Sequence, residues 1–340
     1  MSPKNFPTTL RHTLKTHNGP VNCLTFSSYP GTYLLTGSSD RSIHLSRALP
    51  SSSSSSQNEP PTSSAPIQKY EAHGYTVLDL AVAADNARFT SVGGDRQVFL
   101  WDVETGGTVK RWAGHASRVE AVEFAGEGDS VVVSGSADTT VNLWDTRSNS
   151  TKPIQSLTEA TDTVSSLHVH MPTYSIAAGS YDGRVRIYDL RNGVTKVDVI
   201  GHPVTSVRFS QDGNAVLVSS LDGWIRMIDR EDGKVLKGFG GGEGNGNGEK
   251  KARYRNKELR IRSVFAQRDG TVLSGSEASD VDARSMEASI FAWDVLSAEV
   301  VATVRAGEGV KAVSSVAWNE AGKCWAASCS DASGSVKIFG

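Results

Sequence analysis

GHASRVEAVEFAGEGDSVVVSGSADTTVNLWD, residues 114–145, is the stretch on which the reading of the fold turns. It opens on a Gly-His pair, runs through alternating apolar positions (Val119, Ala121, Val122, Phe124) and then Val131 to Val133, turns at Ala137-Asp138, and closes on Trp144-Asp145. Apolar residues at a period of two, broken by short polar turns, predict three antiparallel strands. Outward in both directions the same grammar recurs. Trp101-Asp102, Tyr188-Asp189, Ile228-Asp229 and Trp293-Asp294 end equivalent runs, and Ser46 and Phe339 hold that place in a first and a last copy, which makes seven copies. The Asp six residues before the closing position recurs as Asp40, Asp95, Asp138, Asp182 and Asp222, at intervals of 55, 43, 44 and 40 residues.

A repeat of roughly 40–45 residues with Gly-His and Trp-Asp punctuation resembles the WD-repeat β-propeller, in which each repeat forms one four-stranded blade. The expected fold is therefore all-β: a seven-bladed WD-repeat propeller over residues 10–340, after a flexible tail 1–9. LRHTLKT, residues 10–16, precedes the first Val-rich run, and the last copy stops at its third strand near Phe339. The N-terminal strand is expected to supply the missing fourth strand and close the ring, which removes two free sheet edges. Two segments stand apart from the repeats. LPSSSSSSQNEPPTSSAP, residues 49–66, holds too few large apolar groups to pack and is expected as a disordered loop between the third and fourth strands of blade one. Residues 238–257 combine a glycine run with basic residues and are expected as a flexible insert.

Composition narrows the class further. At 340 residues and 38% hydrophobic content the chain can bury a large core, while a net charge of -2 gives no global drive toward nucleic acid or membrane. Cys23, Cys324 and Cys329 are odd in number and lack metal-ligand spacing, so reduced thiols are expected, with no metal or cofactor. No stretch has the length and apolarity of a signal peptide or a membrane span, and a soluble protein of nucleus and cytoplasm is expected.

His73, Ser91, Asp95 and Trp101 match His115, Ser134, Asp138 and Trp144 position for position. Ser, His and Asp in one repeat raise the question of a hydrolytic triad. Duplication argues for a structural relay instead: Trp donates to Ser, Ser to His and His to Asp, so that every buried polar group is satisfied. No nucleophile-elbow sequence surrounds either serine. In copies four and five Ala178 and Val218 replace the serine, and apolar packing is expected there. Candidate partner-binding residues are Arg41, Tyr75, Arg96, Arg118 and Tyr181 in the turns of one face, because Arg and Tyr dominate interface energetics when desolvated. Trp224 is added as an outward indole where other copies carry Gln97, Thr140 and Arg184. EKKARYRNKELRIR, residues 249–262, carries seven basic and two acidic residues. Lys251, Arg253, Tyr254 and Arg255 are its candidates for a partner or an RNA, whereas ELRIRSVF also reads as a plain alternating strand.

HGYTVLD (73–79), SVGGDRQVFLWDVETG (91–106), VSSLHVH followed by AAGSYDGRVRIYDLRNG (164–193) and LVSSLDGWIRMID (217–229) together resemble the mitogen-activated protein kinase organiser family of WD-repeat proteins. That resemblance implies a non-catalytic scaffold for kinase-cascade components and for spliceosomal factors, a monomeric propeller within larger complexes. Ser46, the serine-rich loop and the enlarged sixth copy depart from the family pattern. A second resemblance is TVNLWDTR (140–147) and RVRIYDLR (184–191) to the box by which substrate receptors meet the adapter of a cullin-type ubiquitin ligase, with Arg147 and Arg191 in the adapter-contacting place. The plainer reading of these arginines is solvent-facing residues at strand ends.

Overall fold

In a computed structural model, the structure describes residues 6–49, 62–63, 65–191, 193–240, 253–278, 287–331 and 334–340. The Val-rich runs all become strands, grouped as seven sheets whose four blade strands run antiparallel. Blade 1 holds Val21–Phe26, Tyr33–Ser38, Ile43–Arg47 and Gln68–Tyr70; blade 2 holds Val77–Val82, Arg88–Gly93, Gln97–Asp102 and Thr108–Ala113. Blade 3 holds Val119–Ala125, Val131–Ser136, Val141–Asp145 and Gln155–Leu157, and blade 4 Val164–His170, Ser175–Ser180, Arg184–Asp189 and Val194–Val199. Blade 5 holds Val204–Phe209, Ala215–Ser220, Trp224–Asp229 and Val235–Gly240, and blade 6 Ser263–Ala266, Thr271–Gly275, Ser289–Asp294 and Val300–Arg305. Blade 7 takes Val313–Asn319, Cys324–Cys329 and Ser335–Phe339, and its fourth strand is Leu10–Lys15, paired antiparallel from Leu10↔Phe339 to Lys15↔Ser335. The first strands of successive blades touch one another round the whole ring, including blade 7 against blade 1.

Apolar layers lie between blades: Cys23, Leu35 and Ile43 of blade 1 pack with Val77, Phe89 and Trp101 of blade 2. The second strand must come close to the next blade for this layer to form. A Cβ on Gly37 would sit 2.6 Å from Val77 Cγ1 of blade 2, and one on Gly135 2.7 Å from Val164 Cγ1 of blade 4, so glycine permits the approach at these two seams. In blade 5 Ser219 holds that place and faces the Ser263 hydroxyl of blade 6.

Three expectations about the segments outside the repeats change. The tail 1–9 is docked from residue 6 onward: Phe6 is 7% exposed among Trp325 and Phe339, and Pro7 accepts the Trp325 indole N–H at 2.7 Å, because a buried indole needs an acceptor. In the loop 49–66, Thr62–Ser63 pair in parallel with Thr13 and Leu14 as a fifth strand on blade 7. The insert 238–257 begins too early, since Gly238 and Gly240 are rungs of the blade 5 ladder and Phe239 is 1% exposed. Residues 1–5, 50–61, 64 and 241–252, and with them Lys251, lie outside the described residues.

Candidate protein-interaction face

The loop before each first strand and the turn between second and third strands meet on one face of the disc, called here the relay face. In blade 3 the Trp144 indole donates to Ser134 Oγ at 2.7 Å, His115 Nε2 lies 2.8 Å from that oxygen, and His115 Nδ1 lies 2.9 Å from Asp138 Oδ2. In blade 2 the corresponding separations are 2.8 Å for Trp101–Ser91, 2.7 Å for His73–Ser91 and 3.1 Å for His73–Asp95. Both serine side chains are fully buried, and each hydroxyl is held between an indole and an imidazole, which leaves no face for a substrate carbonyl. Burial pushes the Asp138 carboxyl up, but His115, Thr140 and the Ala116 N–H outweigh it and hold the group well below the ordinary carboxylate range.

Blade 1 uses His17, 2.8 Å from Thr36 Oγ1 and 3.0 Å from Asp40, and stacks His44 on the His17 ring at 3.8 Å. Its Ser46, where every other blade but blade 5 carries an aromatic, is 2% exposed. In blades 4 and 5 Ala178 and Val218 join apolar clusters, as expected, but the turn Asp gains a partner that the sequence reading did not foresee. There Arg186 and Arg226, each four residues after the turn Asp, pair with Asp182 at 2.7 Å and Asp222 at 2.5 Å. Without a relay serine and histidine the buried turn carboxylate needs a countercharge, and an arginine on the adjacent strand supplies it. Burial raises Asp182, yet Arg186 and the Thr161 N–H bring it down to about 2.

The outward candidates differ in their surroundings. Arg41 (φ 72°) and Arg96 (φ 62°) stand at turn apices and are exposed; Tyr75 is 65% exposed. The Arg118 side chain is 58% exposed, with Nε 2.5 Å from Glu120. Tyr181 is half-buried, and burial pushes its phenol up. Trp224, 37% exposed, lies over Gly238 of the neighbouring strand rather than on a loop. Of the basic segment, Arg253 is exposed, Tyr254 packs edge-on against Trp293 at 5.3 Å, and Arg255 pairs with Glu277 at 3.3 Å.

Sequence reasoning missed the axial channel. ELRIRSVF is strand only from Ser263, and the segment before it enters the channel instead. Arg260 donates to the carbonyls of Leu78, Glu120 and Ser165 and to Glu120 Oε2 at 2.9 Å; Arg262 donates to Asp79 Oδ1 at 2.6 Å. Arg208 donates to Glu123 at 2.9 Å, beside a cavity of about 420 Å³ that Arg262, His168 and Trp318 also line. The signal was available: in ELRIR both arginines fall on one side and Ile261, fully buried, on the other, while Asp79, Glu120 and Glu123 interrupt otherwise apolar first strands. Arg260 and Arg262 are thus ion-paired inside the molecule and are withdrawn from the basic run that was a candidate for RNA.

On the opposite face Arg147 is 78% exposed and 3.8 Å from Asp145, whereas Arg191 Cζ lies over the Tyr174 ring, 3.9 Å from its centroid, so the two arginines present different surfaces. No group of metal-ligating side chains gathers among the described residues, and none of their helices is long and apolar enough to cross a membrane.

Comparison with known proteins places the chain. Residues 75–281, more than half of it, match the model of the nucleolar protein 10-like N-terminal domain, and residues 8–45 match the WD domain, G-beta repeat. A WD repeat domain-containing protein 83 homolog of Dictyostelium discoideum is 28% identical over 78% of this chain and 82% of its own length. WD repeat domain-containing protein 83 of Rattus norvegicus is 35% identical over 52% of this chain and 49% of its own length. An uncharacterised WD repeat-containing protein of Schizosaccharomyces pombe is 38% identical over 44% and 42%. The chain thus spans about half, or less, of the rat and yeast relatives. These matches correct the resemblance to a spliceosome-associated kinase organiser: they are to WD-repeat protein 83 and to a nucleolar protein 10-like domain, and they carry nothing that ties this chain to a spliceosome. The chain belongs to the family of nucleolar protein 10-like N-terminal domains and is a seven-bladed WD-repeat β-propeller.

Proposed function

We propose that the chain is a non-catalytic protein-interaction scaffold whose relay face receives its partners. One observation carries this reading. The Ser, His and Asp side chains that could do chemistry are turned inward and engage one another, whereas Arg41, Tyr75, Arg96 and Arg118 are turned outward from tight turns on a closed ring. Groups held on a rigid frame lose little conformational freedom on binding, which favours recognition. A single compact propeller acting as a monomer in nucleus and cytoplasm fits this use.

The test is affinity purification of the tagged chain from its native cells, with and without nuclease, beside a variant carrying Tyr75→Ser and Arg118→Ser. Proteins captured by the native chain and lost with the variant support the reading; identical capture by both sinks it. The same experiment sorts the finer assignments. Splicing factors retained after nuclease, kinases of a mitogen-activated cascade, or a ligase adapter lost on Arg147→Ala with Arg191→Ala would each name the assembly served. Detectable hydrolase turnover abolished by Ser134→Ala in a folded protein would replace the scaffold reading by an enzymatic one.

A further inference from the structure

The relay face is not electrically uniform, and the asymmetry has a structural origin. In blades 1 to 3 the turn carboxylates face inward: Asp40 binds His17 and the Asn18 N–H, Asp95 meets His73 and the Gly74 N–H, and Asp138 binds His115 and the Ala116 N–H. They are therefore unavailable to the arginines beside them in sequence. Glu120 meets Arg118 but is shared with Arg260. Glu71 is the one exposed carboxylate in the described loop 71–76. The outward remainder of this arc is Arg41, Arg96, Arg118 and the 65%-exposed Tyr75.

The turn apices sharpen the contrast. Gly183 (φ 77°) and Gly223 (φ 80°) hold in blades 4 and 5 the left-handed position that Arg41 (φ 72°) and Arg96 (φ 62°) hold in blades 1 and 2. A side chain adopts that backbone only at a cost, so the fold would be served better by glycine at all four places. Residues held in such conformations gather at binding sites; in blade 3 the strained residue is Thr139 (φ 71°), and in blades 1 and 2 it is an outward cation.

Resting on the scaffold reading above, we propose that the arc Arg41–Tyr75–Arg96–Arg118 docks an aspartate- and glutamate-rich segment of a partner protein. Guanidinium forks match carboxylates in pairs, and an exposed tyrosine ring between them offers apolar cover to the peptide backbone. A nucleic acid is favoured less, because its affinity grows with the number of phosphates neutralised and the arc offers few cations, with Arg260 and Arg262 spent inside the channel.

Fluorescence polarisation of a fluorescein-labelled peptide of alternating aspartate and glutamate, titrated with the full chain, tests this. Binding that weakens with salt is expected, together with a loss of about tenfold or more for Arg41→Gly combined with Arg96→Gly. Glycine suits both backbones, so the melting temperature should hold or rise, and misfolding cannot mimic the loss. Arg268→Gly removes a cation whose side chain is 83% exposed on the opposite face and should leave binding unchanged. The proposal is overturned by absent binding to the native chain, by equal loss with Arg268→Gly, or by polyuridine RNA displacing the peptide at matched charge. Partners captured equally by the native chain and the double glycine variant would defeat the acidic-segment proposal alone; the absence of any captured protein would defeat the scaffold reading beneath it.

Discussion

His115 and His44 show how one residue type serves opposite ends in blades 3 and 1. His115 is braced between Ser134 and Asp138, so truncating it takes one partner from a buried hydroxyl and one from the turn carboxylate. Removing a partner from a buried polar group costs on the order of 1–3 kcal/mol. We expect His115→Ala to lower the unfolding free energy in urea by about that amount. His44 is instead stacked on another imidazole, and burial followed by the nearby His17 charge lowers its pKa to about 4. In the unfolded chain a histidine takes its proton near about 6.5. Between those values the unfolded state binds more protons, so stability is complete above pH about 6.5 and declines as the pH falls toward about 4. His44→Asn, which installs the residue that blade 3 carries at Asn142, should flatten the melting temperature across that window.

At the scale of the element, the turn between second and third strands is where local conformation and outward chemistry conflict. Replacing Arg41 or Arg96 by glycine is expected to raise stability by about 0.5–1 kcal/mol each, through relief of the left-handed conformation. A denaturant midpoint that falls instead would show that these arginines brace the fold. The strands and the relays were legible because each is a local pattern repeated at fixed spacing: Trp101 and Trp144 announce their strands, and the six-residue step back to Asp95 and Asp138 announces the turns. Arg186 and Arg226 were not legible as countercharges, because their partner lies across a turn and an arginine inside a strand also reads as a surface residue. Ser263 likewise begins its strand later than the alternation of ELRIRSVF suggests, since two ionised groups in that run find carboxylates only when the chain turns into the channel. Phe6 escaped because a single aromatic in a polar tail has no period to reveal it.

For the whole molecule, ring closure and channel filling divide the labour. The seam of Leu10–Lys15 on Ser335–Phe339 closes the circumference, and Leu14, 2% exposed, seals it with Val336 and Ile338. The channel arginines act differently. Arg260 leaves from the segment before blade 6 and ends on carbonyls of blades 2, 3 and 4. It is held in place because Glu277 Oε1 accepts the N–H groups of Lys257, Glu258 and Leu259. Arg260→Met removes the bonds to the three carbonyls and leaves Glu120 with Arg118 as its countercharge, for which we expect a loss of about 2–4 kcal/mol by denaturant titration. A ring built only from neighbour contacts behaves as a chain of coupled links, in which one blade can fray while the far side stays intact. Arg260 adds spokes to that wheel. Slackening near Glu277 is then felt across the hub, and amide hydrogens of blades 2 to 4 should exchange faster in the Arg260→Met protein even though the change lies on the far side of the axle.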